Sequence, residues 1–316
     1  MRLHTTLPAL VLAITSAIFG VPRAQADGLA AAHIRVLTHN VMLMNPIAGD
    51  FGNATRADLI AEADYVRGYD VVAFQEAFDN GPVDRLTARL RPEYPFQTPV
   101  LGRGTAGWDE STGPLLWPLR PEDGGVAVLS KWPILQQVQH IYDIGCGFDA
   151  LAAKGFVYVQ LNVRGKRVHV VASHTQADDS LCIFRSPAQI RAAQFAAIDR
   201  FLDARRIPAD EQVIIMGDLN VVRSSPEYAS MLSVLDSVAP TSYGGSTTSF
   251  DPETNSLAAA RYPGEPGQDL DYVLQRRTNQ SPGAWPNRVL AAKAPAWNLG
   301  DVTYHDYSDH YPLAGG

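Results

Sequence analysis

Polar and acidic side chains stand at the ends of several short apolar runs in this chain. Asn40 follows one such run, Glu76 a second, His174 a third, and Gly217-Asp218-Leu219-Asn220 a fourth. Near the C-terminus, Tyr307-Ser308-Asp309-His310-Tyr311-Pro312 sets an acid beside an imidazole between aromatic residues. A carboxylate at the end of a buried strand is costly unless it is paired or bound to a metal. Asp218 and Asn220 are two residues apart, so their side chains lie on the same side of an extended segment. A carboxylate and an amide so placed can hold a metal-bound water and a phosphate oxygen together. Each signal has a plainer explanation by itself. Glu76 could be an exposed acid, Gly-Asp and Asn form turns readily, and a lone histidine is usually structural. Taken together, the set points to phosphoester chemistry at an active site assembled from a whole sheet.

The elements that must carry these groups read as short strands. Ile34–Val41, Asp70–Glu76, Gly125–Ser130, Phe156–Leu161, Val168–Ser173, Gln212–Met216 and Leu270–Leu274 are apolar and regularly interrupted. Gly165 predicts a hairpin turn between the fourth and fifth. A helix is predicted over Arg56–Arg67, with Leu59, Ile60, Ala63 and Val66 on one face, and another over Pro187–Ala204, with Ile190, Phe195, Ile198 and Leu202 inward. Hairpins mixed with helical crossovers fit an α/β fold of two packed sheets with helices on the outer faces. The Gly- and Pro-rich stretches Leu101–Gly124 and Thr241–Gly267 predict long surface loops, a length that is usually functional.

The chain has 316 residues, 46% hydrophobic and 19% charged, with a net charge of −7. Arg2, the apolar run Leu7–Val21 and the Ala24-Gln25-Ala26 cleavage pattern predict an export signal over residues 1–26. The alternative, a membrane anchor, is poorer because Pro8, Thr15 and Ser16 interrupt a stretch already short for a span. Residues 27–316 are then expected to form one catalytic domain, secreted and monomeric. Without the leader, 24 basic groups face 33 acidic ones, a net charge of −9. That balance suits carboxylate ligation of divalent metals and does not suit nonspecific tracking of nucleic acid. Cys146 and Cys182 are the only cysteines, and in an exported chain an isolated pair is expected to form a disulfide.

The order Asn40, Glu76, His174, Asp218/Asn220, Asp271, Asp309/His310 resembles the endonuclease/exonuclease/phosphatase superfamily. Thr38-His39-Asn40-Val41, Glu122-Asp123-Gly124-Gly125-Val126-Ala127, Lys154-Gly155-Phe156-Val157-Tyr158 and Tyr307–Pro312 are similar to the secreted bacterial neutral sphingomyelinases. Ser225-Pro226-Glu227-Tyr228 is a weaker match, and the resemblance spans residues 33–313. It implies a four-layer α-β-β-α sandwich, the deoxyribonuclease-like fold, and hydrolysis of sphingomyelin to ceramide and phosphocholine at a membrane surface. It also implies a catalytic Mg²⁺, with Mn²⁺ or Co²⁺ able to stand in its place. Glu76 would be its main ligand, with Asn40 on the metal or the phosphate. Asp218 and Asn220 would hold the attacking water and a phosphate oxygen. His310, flanked by Asp309, would be the base or water-orienting group, Asp271 would fix an imidazole tautomer, and His174 would face the phosphate. Asp251 and Asp179 match further acids implicated in the family. An edge metal site would use Asn80, Glu122 and Asp123 with a backbone oxygen near Phe78. The two cysteines fall where the family has its disulfide.

Such a metal site makes physical sense for this bond. A phosphodiester repels hydroxide and parts reluctantly with its alkoxide. Mg²⁺ neutralises phosphate charge and lowers the pKa of bound water, and it favours oxygen ligands while retaining waters. The sequence departs from the resemblance at one place. Members that grip membranes carry an aromatic-tipped hairpin before the final Tyr-Ser-Asp-His run, whereas here Asn298–Thr303 contain no aromatic pair. Leu299, Trp285 and the Trp108/Trp117 loop could touch an interface, although packing of these tryptophans against the protein is the simpler expectation. A nuclease or another lipid phosphodiesterase on the same scaffold, and a non-catalytic membrane-binding protein, are the competing readings.

Overall fold

Both faces of the central strands are apolar, and this alternation sorts the molecule into layers. The computed structural model describes residues 32–114, 120–245 and 248–316; the predicted leader and Trp117 lie outside them. In chain order the elements are β1 Val36–Leu43, α1 Asn53–Glu62, β2 Val71–Ala77, α2 Asn80–Leu90, β3 Phe96–Gln97, β4 Glu110–Thr112, β5 Ala127–Ser130, β6 Ile134–Ile141, β7 Gly155–Val163 and β8 Lys166–His174. There follow α3 Pro187–Arg205, β9 Gln212–Asp218, α4 Pro226–Val234, β10 Ser237–Val238, β11 Ser242–Gly244, α5 Ser256–Arg261, β12 Asp271–Arg276, β13 Pro286–Val289, β14 Trp297–Leu299, β15 Val302–Tyr304 and β16 Leu313–Gly315. Among the described residues, no helix is long and apolar enough to cross a membrane.

Two seven-stranded sheets form, in the orders β11-β13-β16-β1-β2-β5-β3 and β10-β12-β9-β8-β7-β6-β4. Val36, Val71, Ala73 and Val128 of the first sheet meet Val157, Val170, Ala172, Ile214, Met216 and Val273 of the second in one buried layer. Their sequence neighbours point the other way. Leu37, Val72 and Phe74 pack under Ala57 and Ile60 of α1 and Val83, Leu86 and Leu90 of α2. Val171, Val213 and Ile215 pack under Phe195, Ile198 and Leu202 of α3 and Met231 of α4. The result is the expected helix-sheet-sheet-helix sandwich, because a period of two buries both faces of each strand.

The β7–β8 hairpin turns at Arg164 and Gly165, both at positive φ (55° and 86°). This is the pairing that a two-residue turn needs to match strand twist. The first helix departs from expectation: it runs from Asn53 to Glu62, and Ala63 then turns extended (ψ 142°) before one 3-10 turn over Asp64–Val66. That break still returns Val66 to the core.

Arg56 of α1 is wholly buried. Its guanidinium donates to the carbonyls of Phe51 (2.8 Å), Val41 (2.7 Å), Met42 (2.5 Å) and Tyr307 (3.1 Å), and to Asn53 Oδ1 (2.9 Å). It therefore ties the end of β1 to the C-terminal run. Replacing Arg56 with Met leaves buried carbonyls unpaired, each costing on the order of 1–3 kcal/mol. The expected loss is about 3 kcal/mol, read from the urea midpoint; a loss below about 1 kcal/mol would contradict this role.

Candidate active site

Parallel pairing brings four strand ends to one end of the sandwich. β1 pairs with β2 and β8 with β9, both parallel. The C-terminal ends of parallel strands are where α/β sheets place ligands. In the second sheet, His174 lies opposite Asp218, and Asp218 opposite Asp271, across three neighbouring strands. Each stands two residues beyond an inter-sheet core residue: Ala172, Met216 and, running in the other direction, Val273. Alternation alone therefore aims all three toward the first sheet. Gly217 permits the close strand packing beside them, since a Cβ there would sit 1.9 Å from the Ser173 carbonyl oxygen.

On the first sheet Asn40 faces inward by the same alternation, but Glu76 should follow Val72 and Phe74 outward. A left-handed backbone at Glu76 (φ 52°) breaks the alternation. On the partner strand the register slips between Asn40 and Leu43, with Met42 also at positive φ (48°). Non-glycine residues adopt this region only when their surroundings impose it. As a result Asn40 Nδ2 donates both to Glu76 Oε1 (2.9 Å) and to Asp218 Oδ2 (3.0 Å). Asn40 Oδ1 is turned away and accepts from Met42 N (3.1 Å).

His174 Nε2 lies 3.6 Å from Asp218 Oδ2 and 3.9 Å from Glu76 Oε1. Asn220, another left-handed residue (φ 51°), donates through Nδ2 to Thr175 O (3.1 Å) and through its backbone N–H to Asp218 Oδ1 (3.0 Å). His310 Nδ1 pairs with Asp271 Oδ2 at 2.8 Å, leaving its Nε2 facing Asp218 Oδ2 at 3.8 Å. Asp309, buried beside it, accepts from Ser308 Oγ (3.3 Å), and Ser308 Oγ also reaches the Asn40 carbonyl (2.6 Å). Glu76, Asn40, His174, Asp218, Asn220, Asp271 and His310 thus form one cluster.

Three imidazoles here take different states. His310 is buried, which opposes charge, but Asp271 and Asp218 outweigh burial and hold it well above its usual pKa. Burial, then Lys154 and His310, holds His174 well below. His39 is pushed down to about 3, chiefly by burial. Its Nε2 faces the His310 carbonyl (3.1 Å), which only accepts, so Nδ1 must accept from Tyr65 OH (2.9 Å). Burial raises Glu76, with Asp309 adding to it, and burial and Asp271 raise Asp218 to about 7.

Two important groups carried no assigned role in the sequence reading. Lys154, nearly buried, bridges Asp149 Oδ2 (2.7 Å) and His174 Nε2 (3.1 Å) and donates to Thr175 O (3.1 Å). His39 supports the His310 backbone. Both stand inside motifs quoted above, and a polar residue within an apolar run was the available signal. Other predicted acids lie elsewhere. Asp179 accepts from Phe148 N and Leu181 N, both at 2.8 Å, beside the Cys146–Cys182 disulfide. Asp251 holds the turn that follows it, through Glu253 N (3.0 Å) and Thr254 Oγ1 (2.9 Å). Its neighbour Phe250 packs on the His310 ring at 5.4 Å. At the edge, Asn80 starts α2, Asn45 Nδ2 donates to Glu122 Oε2 (2.5 Å), and Arg103 Nε pairs with Asp123 Oδ2 (3.3 Å). Burial pushes the Asp123 carboxyl up to about 6.

A cation fits the central cluster. Glu76, His174 and Asp218 bring their ligand atoms within 4.8 Å of one another, as do Asp218, Asp271 and His310. The raised carboxyl pKa values are the mark of buried negative charge in want of a counter-charge. Two carboxylates beside one imidazole form an oxygen-rich set suited to a hard ion.

A sequence profile of the Endonuclease/Exonuclease/phosphatase family matches residues 37–310. Sphingomyelinase C from Bacillus cereus is 42% identical over 311 residues, covering 94% of this chain and 93% of that protein. The crystal structure of sphingomyelinase C from Streptomyces griseocarneus matches with a TM-score of 0.86 at 48% identity, covering 90% of this chain and 98% of that one. A mutant of beta toxin from Staphylococcus aureus with bound magnesium ions matches with a TM-score of 0.86 at 40% identity, covering 89% of this chain and 98% of that one.

The raised carboxyl pKa values give a pH test. Without metal, Asp218 keeps its proton to about pH 7, whereas in the unfolded chain an Asp loses it near about pH 4. The folded form thus binds the extra proton, and this group's contribution to stability falls as pH rises across that interval. A divalent ion must displace the proton. The rise in Tm on adding Mg²⁺ should therefore be larger at pH 8 than at pH 5, and Glu76→Gln should shrink it. A shift independent of both pH and Glu76 would refute the assignment.

Proposed function

Because this chain belongs to the endonuclease/exonuclease/phosphatase family, on its sphingomyelinase C branch, we propose that it hydrolyses sphingomyelin to ceramide and phosphocholine with the help of Mg²⁺. The observation that carries the reading is the convergence of Glu76 and Asp218 on the Asn40 amide, with His174 and His310 both near Asp218 Oδ2. Glu76 and Asp218 would hold the ion, which when bound supplies charge neutralisation at the phosphate and acidifies water.

The chain's own groups do the rest. Asp271 takes the Nδ1–H of His310, so Nε2 faces the reacting centre with its tautomer fixed. His310 Nε2 and Asp218 Oδ2, 3.8 Å apart, would flank the attacking water, with one of them taking its proton. Asn220 Nδ2, which spends one hydrogen on Thr175 O, would give the other to a phosphate oxygen, while Lys154, committed to Asp149, His174 and Thr175 O, holds His174 in place beside it. At the edge, a cation held by Asn80, Glu122 and Asp123 would compete with Arg103 for Asp123. The chain would work as a secreted monomer, with a lipid surface as its partner. The Cys146–Cys182 disulfide supports an oxidising location, and the mature charge of −9 speaks against a polynucleotide substrate.

Phosphocholine release from sphingomyelin should exceed release from phosphatidylcholine, vanish in EDTA and return with Mg²⁺. Degradation of plasmid DNA with intact sphingomyelin vesicles would overturn the proposal. Glu76→Ala and His310→Ala should each lose at least ~100-fold in turnover, and near-normal rates in either would contradict their roles.

A further inference from the structure

Large apolar side chains in water are concentrated around the disulfide. Phe148 is 72% exposed and Leu151 49%, both in the short 3-10 turn Gly147–Leu151. Across the disulfide, Leu181 is 56% exposed, Ile183 77% and Phe184 94%. The Cys146 and Cys182 Cα atoms are 5.2 Å apart, and Asp179 holds both segments through Phe148 N and Leu181 N. On its other side the loop runs into α3 through a capping box, with Ser186 and Gln189 exchanging hydrogen bonds. The apolar tip is therefore fixed in place. Inserting it into another phase would cost little ordering entropy.

This patch connects directly to the catalytic cluster. Asp149, in the same turn as Phe148 and Leu151, accepts from the Lys154 ammonium at 2.7 Å, and Lys154 lies 3.1 Å from His174 Nε2. Asp149 also accepts from Ala177 N (2.7 Å), on the strand exit that carries His174 to the disulfide. Two contacts thus separate the apolar turn from a proposed phosphate-facing imidazole. Arg185, exposed beside Phe184, adds a cation at the rim, and its natural counterpart is a phosphate at headgroup depth. The hairpin β14–β15 offers less, a single exposed Val302 (51%), since Trp297 is buried and stacks on Tyr304 at 4.9 Å.

We infer that Phe148, Leu151, Leu181, Ile183 and Phe184 form the membrane-docking surface, entering the acyl region of a choline-phospholipid bilayer while Arg185 meets the phosphate layer. Exposed large apolar side chains gathered on two segments joined by a disulfide mark an interaction site, and their link to the catalytic cluster selects the bilayer that would hold the substrate over a soluble protein partner. The inference rests on the sphingomyelin reading above and adds the surface that delivers the lipid to it.

The test uses the full-length mature protein in EDTA, so that binding is read without turnover. Sedimentation with vesicles of sphingomyelin and phosphatidylcholine should show the double variant Ile183→Ser, Phe184→Ser binding at least ~10-fold more weakly, given what two apolar side chains contribute on burial. Leu135→Ser, an exposed apolar change at the far end of β6, should bind as the parent does. An unchanged Tm for the double variant would establish that the fold is intact. Equal vesicle binding by the double variant and the parent overturns the docking surface, as does binding to a soluble protein in place of vesicles. Failure of the parent to release phosphocholine from sphingomyelin in detergent micelles would instead overturn the substrate reading, and that assay needs no bilayer.

Discussion

A side-chain amide joins the two sheets at their functional end. Asn40 reaches from the first sheet and divides its two hydrogens between Glu76, its neighbour on β2, and Asp218, on the opposing sheet. Two buried carboxylates placed this close repel one another unless donors or a cation intervene. The amide meets part of that need, and the raised affinity of both acids for protons shows that part is left over. That deficit is what makes the place suited to a divalent ion. It also explains why the backbone accepts left-handed residues at Met42, Glu76 and Asn220. A regular strand would carry the Glu76 carboxylate to the helical side of the sheet, away from its partners.

Around this seam, environment separates groups that are chemically alike. His39, His174 and His310 are all buried, yet of the three only His310 has a carboxylate within hydrogen-bond distance of a ring nitrogen, Asp271 at 2.8 Å. His174 has an ammonium beside it and stays neutral, while His39 is committed to a tyrosine hydroxyl and a backbone carbonyl. One fold thus keeps a charged imidazole and a neutral one beside the same aspartate. Such a divergence in proton affinity is the usual basis for assigning an acid and a base.

Much of this was legible in the sequence. The strands that carry the site are apolar on both faces, and the polar residues that end them stand out against that background. What escaped the sequence depended on context. β6, reading Ile134-Leu-Gln-Gln-Val-Gln-His-Ile141, is too rich in glutamine to announce itself, and its partner at the outer edge is the three-residue β4. The helix α2 opens with Asn80-Gly81-Pro82, residues that read as a turn, although Val83, Leu86 and Leu90 keep the spacing of a buried face. Arg56 is a cation inside a core, and nothing in its flanking residues reveals the carbonyls waiting for it. Asp179 and Asp251 were grouped with the site because of what they resemble, but their hydrogen bonds serve loops beside it.

Arg56 binds carbonyls at the end of β1 and also that of Tyr307, and β16 lies between β1 and β13 in the sheet. Among the described residues, the first and last strands are therefore immediate neighbours. Pairing them requires closing nearly the whole chain, the slowest kind of contact to form. A growing polypeptide would hold most of its reactive side chains for some time without the imidazole that completes them. Competence would then wait for the run that carries His310, and a chain cut short before it would remain inert however well the preceding strands had folded.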